Sequence, residues 1–198
     1  MKIHSTYMGM KLNSPIVVSA CTLSEKTDNI AMMEDNGAGA VVLYSLFEEQ
    51  IRKEEATYKT ILSETSYSFA EALDYFPNLD DFHVGTDEYL EHIRKAKDRV
   101  DIPIIGSLNG ITNEGWIDYS RQIEQAGADA ISLVNTFLAM AIEIETRQPK
   151  LTNGMAGLSG PAIRPIAVRM VWECYQLVKI PVIGMGGITD ARDVLEFM

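Results

Sequence analysis

Gly37-Ala38-Gly39-Ala40-Val41-Val42-Leu43 returns later in the chain as Gly127-Ala128-Asp129-Ala130-Ile131-Ser132-Leu133. Each copy follows a helical pattern, Thr27 to Asn36 in the first case and Glu114 to Ala126 in the second, and each opens a short apolar run. That order reads as helix end, glycine cap, then buried strand. A second echo pairs Asp101-Ile102-Pro103-Ile104-Ile105-Gly106 with Lys179-Ile180-Pro181-Val182-Ile183-Gly184. Both follow a helical segment, place proline at a strand's first position and stop at glycine. Helices alternating with continuous apolar strands are the signature of parallel β/α units, in a barrel or in a doubly wound sheet.

Working outward, the pattern predicts parallel strands near 15–20, 40–44, 102–107, 129–134 and 181–184, and helices near 25–36, 87–99, 114–126, 163–178 and 190–197. Ile3 to Leu12, with Gly9 at its turn, reads as a small hairpin; Ala141 to Leu151, polar and alternating around Glu143, Glu145 and Arg147, reads as another. Phe47 to Val84 reads as a loop excursion, with a helical pattern over Glu48 to Tyr58 and a stretch rich in aromatic and acidic residues over Tyr67 to Phe82. A full eight-unit barrel takes about 250 residues. This chain has 198, and its last helix stops at Met198.

Composition bounds the function. With 46% hydrophobic and 23% charged residues the chain can bury a core and is not disordered by composition. The formal net charge of -11, with dispersed lysines and arginines, argues against a polyanion partner, and no nucleic acid is expected. Cys21 and Cys174 give neither a disulfide framework nor a metal-ligand spacing, and the only histidines are His4, His83 and His92; a reducing cytoplasm fits. Val18-Ser19-Ala20-Cys21 looks like a lipoprotein cleavage site, but the apolar run before it is only Ile16 to Val18. A signal peptide needs about 7 to 15 apolar residues, and a membrane span about 20, so no membrane association is expected.

Ligands of β/α folds bind at the carboxyl ends of the strands. This sequence places Ser19-Ala20-Cys21-Thr22, Tyr44-Ser45, Ser107-Leu108-Asn109-Gly110, Asn135-Thr136 and Gly184-Met185-Gly186-Gly187 there. Small and amide residues suit a flat, hydrogen-bonding cofactor with a phosphate tail better than metal chemistry. Gly157-Leu158-Ser159-Gly160-Pro161-Ala162-Ile163-Arg164-Pro165 runs into the fourth helix. Taken alone it reads as a tight turn with positive φ at Gly157 or Gly160; the other reading is a phosphate seat, since a helix start presents unpaired N–H groups. Gly186-Gly187 is a second potential nest, or ordinary loop geometry.

Asn135-Thr136, Glu145-Thr146-Arg147-Gln148-Pro149, the Gly157 to Ala167 stretch and Ile180 to Ile188 together closely resemble the C-terminal half of the class 1 dihydroorotate dehydrogenases, especially the NAD-linked type, over about 130–198. Residues 1–131 resemble dihydroorotate dehydrogenase-like proteins, with Ser24 to Asn29 and Ser45 to Gln50 as marks. The resemblance implies a TIM (β/α)8-type barrel, here incomplete with fewer than eight β/α units, forming a single FMN-binding domain over 1–198. The activity implied is FMN-dependent oxidation of dihydroorotate to orotate in pyrimidine biosynthesis, hydride passing to flavin N5 while a base removes the neighbouring proton. By position, Ala20, Ser45, Ser159 and Gly160 would contact the FMN cofactor, Gly186 and Gly187 would hold its phosphate, and Asn135 with Thr136 would face substrate and flavin.

The sequence departs from that family in four places. The loop bearing the catalytic base cysteine is absent after Gly127 to Leu133, and so is the strand with the flavin-contacting lysine, as though two β/α units were deleted near 131–135. Tyr44 stands where a lysine is common, and the final strand with its Gly-Thr phosphate contact is lacking, as in a truncation after 198. The catalytic base is therefore unassigned. Cys21 reads as a small packing residue, Cys174 as core beside Trp172 and Tyr175, His83 and His92 as solvated, and Asp74 to Asp81 as a solvated loop that matches no calcium-site spacing. The implied partners are an iron–sulfur flavoprotein electron-transfer subunit, unless fumarate is the acceptor, and a second copy in a homo-oligomer. Two other readings stand beside this one: a non-catalytic barrel fragment, and a dihydropyrimidine dehydrogenase-like flavin subunit.

Overall fold

The computed structural model describes residues 3–47, 86–110 and 113–198. The expected helix at Glu48 to Tyr58, the Tyr67 to Phe82 stretch, the acidic run Asp74 to Asp81 and His83 lie outside the described residues. In chain order the elements are β1 (Ser5–Tyr7), β2 (Met10–Leu12), β3 (Val17–Val18), α1 (Thr27–Asp35), β4 (Ala40–Phe47), α2 (Thr86–Arg99), β5 (Ile104–Asn109), α3 (Asn113–Gln125) and β6 (Ala130–Leu133). There follow β7 (Phe137–Met140), β8 (Ile142–Glu143), β9 (Gln148–Pro149), β10 (Met155–Leu158), α4 (Arg164–Tyr175), β11 (Val182–Gly184) and α5 (Ala191–Phe197).

β3, β4, β5, β6 and β11 form one sheet, all parallel, with neighbours in space following chain order. A doubly wound sheet reverses direction at its middle strand; this one does not. Right-handed crossovers in a single direction put every helix on one face. Accordingly α1 packs on α2, α2 on α3, α3 on α4 and α4 on α5. The result is a curled arc of parallel sheet with a helical coat, the barrel-type alternative of the two that the sequence left open.

The repeat has a structural counterpart. Gly37 and Gly127 both cap their helices with positive φ, at 94° and 97°. Three residues before each glycine stands a glutamate, and the two do the same work. Glu34 accepts the N–H groups of Asp101 and Ile102 at 3.0 and 3.1 Å, and Glu124 those of Lys179 and Ile180 at 2.6 and 3.2 Å. The carbonyls of Pro103 and Pro181 then accept the N–H groups of Val41 and Ile131, so each proline precedes its strand by one residue and still docks it in register.

Side chains alternate across the sheet. The convex layer buries Ile30, Val41, Leu43, Ile93, Ile104, Ile123, Ile131 and Leu133 against the helices. On the concave side Ala40, Val42, Ile105, Ala130 and Ile183 meet Met10, Leu12 and Val17, so the β1–β2 hairpin plugs the amino-terminal end of the arc.

Strict alternation from Ala40 and Val42 would turn Tyr44 into the concave face. A bulge prevents it: Val42 pairs with Ile105 and Ser45 with Ser107, so two residues of β4 oppose Gly106 alone. Ser45 takes the concave position, and Tyr44 swings out to stack edge-on against Tyr89, ring centroids 5.1 Å apart. The Tyr89 hydroxyl fills the gap in the ladder, accepting from Ser107 N at 2.9 Å and donating to Ser107 O at 3.2 Å.

Between β6 and α4 the chain leaves the sheet as an antiparallel arm. β7 pairs with β10, and β8 with β9, the latter being the hairpin expected over Ala141 to Leu151. The β7–β10 ribbon was not foreseen. It makes Gly157 and Leu158 strand residues, paired with Leu138 and Phe137, and not part of a turn. Positive φ falls on Gly160 alone of the two glycines, at 90°; a 3₁₀ turn over Pro161–Ile163 then leads into α4.

Candidate active site

Of the residues expected to carry chemistry, Ser45, Asn135, Thr136, Gly160, Gly186 and Gly187 meet at the carboxyl ends of the strands in two adjoining groups. The first is a polar chain across β4, β5 and the exit of β6. Ser45 Oγ and Ser107 Oγ lie 2.8 Å apart, and Asn135 Nδ2 donates to Ser45 Oγ at 3.4 Å. Asn135 Oδ1 accepts from Thr136 N at 2.8 Å, and Asn109 Nδ2 donates to Thr136 O at 3.3 Å. The bulge in β4 makes this group possible, because it sets Ser45 opposite Ser107.

The second group joins the Gly160 turn to the Gly186-Gly187 turn after β11. A Cβ on Gly187 would lie 2.8 Å from the Gly160 carbonyl oxygen and 2.8 Å from Arg164 N, and Gly187 has φ of 75°. No other residue fits there. Gly186 adopts φ of 115°, and a Cβ there would press on Ile163 and Val134, which ties the seam to the β6 exit. Gly157 closes the circuit, since a Cβ on it would collide with the Thr136 side chain. The seam is braced from behind: Arg164 pairs with Asp193 and, at 3.3 Å, with Glu196, while Asp193 accepts from Thr189 N and Oγ1 at 2.8 and 2.6 Å.

Two expected residues stay at the margin. Ala20 is exposed just past β3, and Ser159 is exposed between β10 and the Gly160 turn. An 840 Å³ groove lies elsewhere, along the outer edge of β11 between α4 and α5, lined by Trp172, Tyr175, Val182 and Phe197, and it contains none of the expected site residues.

Residues set aside in the sequence fall as follows. Cys174 is fully buried, and burial, only partly offset by a hydrogen bond with Ser120, pushes its thiol up to about 11. Cys21 is half-buried and its carbonyl accepts from Ser24 Oγ at 2.8 Å. His92 is not solvated as expected: its Nε2 lies 2.7 Å from Ser24 O and its ring 5.6 Å from that of Tyr44, so it ties α2 to the turn after β3. Tyr44, which stands where the sequence resemblance has a lysine, is turned toward Tyr89; burial, then the charges of Glu25 and Glu88, raise its phenol above the ordinary range. Sequence reasoning missed Ser107 and Asn109 as partners in the site, although both stood in the strand-end stretch Ser107 to Gly110. Among the described residues no cluster of metal-ligating side chains occurs, and no helix is long and apolar enough to cross a membrane.

The glycine seam and the arm lie in the part of the chain that is similar to known proteins. The family model described as dihydroorotate dehydrogenase matches residues 116–198. Over that part the chain is similar to the dihydroorotate dehydrogenase family. Three relatives each carry the name dihydroorotate dehydrogenase B (NAD(+)), catalytic subunit. That of Anoxybacillus flavithermus is 47% identical over 108 residues, 54% of this chain and 34% of the relative. Caldicellulosiruptor bescii has one 52% identical over 108 residues, 54% of this chain and 35% of its own. The protein of Brachyspira hyodysenteriae is 60% identical over 79 residues, 40% of this chain and 26% of its own. The chain thus spans about a third of the length of the relatives it matches.

The residues present fit a flavin mononucleotide. Gly160 has open space where a Cβ would stand, so a phosphate can approach the backbone of that turn, and hydroxyl and amide side chains beside it suit the edge of a flat heterocycle.

Proposed function

We propose that this chain carries the flavin- and substrate-facing rim of an enzyme that oxidises dihydroorotate to orotate, on an incomplete (β/α)8-type barrel. The observation that carries the reading is the meeting of the Gly160 and Gly187 turns beside the Ser45–Asn135–Thr136 group, of which all but Ser45 lie within the stretch matched by the family. Gly160, Gly186 and Gly187 would hold the phosphate, with Arg164 and Asp193 keeping the two turns together. Ala20, Ser45 and Ser159 would border the flavin. FMN, when bound, supplies a two-electron acceptor for the hydride of the substrate. Asn135 and Thr136 orient the substrate by hydrogen bonds, and the arm between β6 and α4 limits access of water to that rim. The relatives' name, catalytic subunit of an NAD(+)-linked enzyme, supports a partner subunit, which in this reading is an iron–sulfur flavoprotein that accepts the electrons.

The test is anaerobic addition of dihydroorotate to the FMN-reconstituted chain. Bleaching of the flavin with release of about one equivalent of orotate per flavin is the expected result; an unbleached flavin contradicts the assigned reaction. Among the described residues β11 pairs on one side alone, beside the groove, and a second reading, a non-catalytic barrel fragment, is separated by the same experiment through the lack of any flavin binding.

A further inference from the structure

β3 and β11 are the two edges of the five-stranded arc, and among the described residues neither pairs with a further strand. The Pro181 carbonyl and the Met185 N–H both serve β6, so alternation along a parallel strand turns the N–H and C=O groups of Val182 and Gly184 to the open side. Beside that edge runs the 840 Å³ groove, with Trp172 and Tyr175 of α4 62% and 68% exposed, and Leu195 of α5 stands 69% exposed. Edges of this kind recruit another strand.

The β3 edge matches the β11 edge in three respects. All five strands run the same way, so β3 of a second copy can continue the sheet past β11 as a parallel neighbour. Next to β3, Ile16, Leu23 and Met32 are large apolar side chains left exposed, as Leu195 is on α5. The charges are opposite. On the β11 side Arg164 engages Asp193 and Glu196, and Arg169 engages Glu173, which leaves the exposed Lys179 and Arg192 with no ion partner among the described residues. On the β3 side the exposed acids Glu25, Asp28 and Asp35 outnumber Lys26. Arg192 and Glu25 both stand near a helix start, at the carboxyl end of the sheet; Lys179 and Asp35 both stand at the amino end, so the opposite charges lie at matching heights.

We infer that the β11 edge and its groove take the β3 edge of a second copy of this chain, two arcs closing on each other about a two-fold axis through two such contacts. Closure sets the partner's Ala20 beside Gly186, so the Ala20 that is exposed at the margin of one site completes the glycine seam of the other. The inference rests on the arc and its edges, not on the assigned reaction, and its test reads assembly alone.

The experiment is sedimentation velocity of the purified chain over a concentration series. The native chain should sediment as a dimer. Leu195→Glu faces the acids of the β3 side and Met32→Lys the cations of the β11 side, and each should weaken the dimer at least about a hundredfold. Both side chains are exposed within one chain, so the fold should be kept, as circular dichroism checks. The two substitutions combined place Glu opposite Lys at both contacts and should recover at least about tenfold of that loss. A monomeric native chain overturns the inference, as does a mass that grows beyond two copies. So does a dimer that both single variants leave intact and Met140→Glu, on the exposed arm, dissolves. A double variant no tighter than the singles overturns it too.

Discussion

Tyr89 is the residue on which the geometry of the rim turns. It is wholly buried, it reaches from α2 into the break that the bulge makes in the β4–β5 ladder, and it serves Ser107 N and O at once. Burial raises its phenol well above the ordinary value despite the hydrogen bond with Ser107. Tyr89→Phe leaves a buried N–H unpaired and should destabilise the fold by about 1–3 kcal/mol in urea unfolding. Cys174 makes a pH-dependent contribution of defined sign. Its thiol titrates near 9 when unfolded and about 11 in the fold, so its contribution is complete below pH 9 and is lost as pH rises toward 11. Tyr89 acts in the same direction at higher pH. Native-state stability should therefore decline between pH 9 and 11, and the decline should be shallower in Cys174→Ala, as read by chemical unfolding at each pH. The burial of Cys174 was legible in the sequence, where it reads as core; the place of Tyr89 was not, because it depends on which face of α2 meets the sheet.

Among elements, the helix ends carry the repeat. Glu34 and Glu124 accept two backbone N–H groups each at equivalent points, joining a helix to the loop before the strand that follows the next helix. Glu34→Ala and Glu124→Ala should each cost about 1–2 kcal/mol, and the double variant the sum to within about 0.5 kcal/mol, since the two share no partner. The echo of Gly37-Ala38 in Gly127-Ala128 announced these units because a glycine cap and a buried strand leave marks in local sequence. The β7–β10 ribbon left none: Phe137 to Met140 and Met155 to Leu158 pair across intervening chain, and Leu138, Met140, Met155 and Leu158 are exposed, so no buried face betrays them. The bulge in β4 was hidden for a related reason, since it depends on Tyr89, remote in sequence. At the seam, Gly187→Ala should cost about 1–2 kcal/mol from the left-handed backbone alone. Its Cβ would also drive Gly160 and Arg164 apart, so FMN affinity should fall at least about tenfold in fluorescence titration.

For the whole molecule, the parallel arc and its helical coat were readable because strands apolar on both faces and capped helices recur in order. The convergence of Asn135, Gly160 and Gly187 was not, since it depends on β6 and β11 being neighbours. The stretch 116–198 that resembles the family carries Asn135, Gly160 and Gly187, and the N-terminal units supply Ser45, Ser107 and the hairpin plug. Leu12→Ala, which empties the plug, should destabilise the arc by about 2–4 kcal/mol in thermal or urea unfolding. The account stands most directly on flavin binding by this chain. The measurement is the FMN stoichiometry of the purified protein after reconstitution and removal of free cofactor, read from its visible spectrum and from the chromophore released on denaturation. About one FMN per chain, lost in Gly187→Ala, is the predicted result. A folded protein that remains colourless with excess FMN contradicts it.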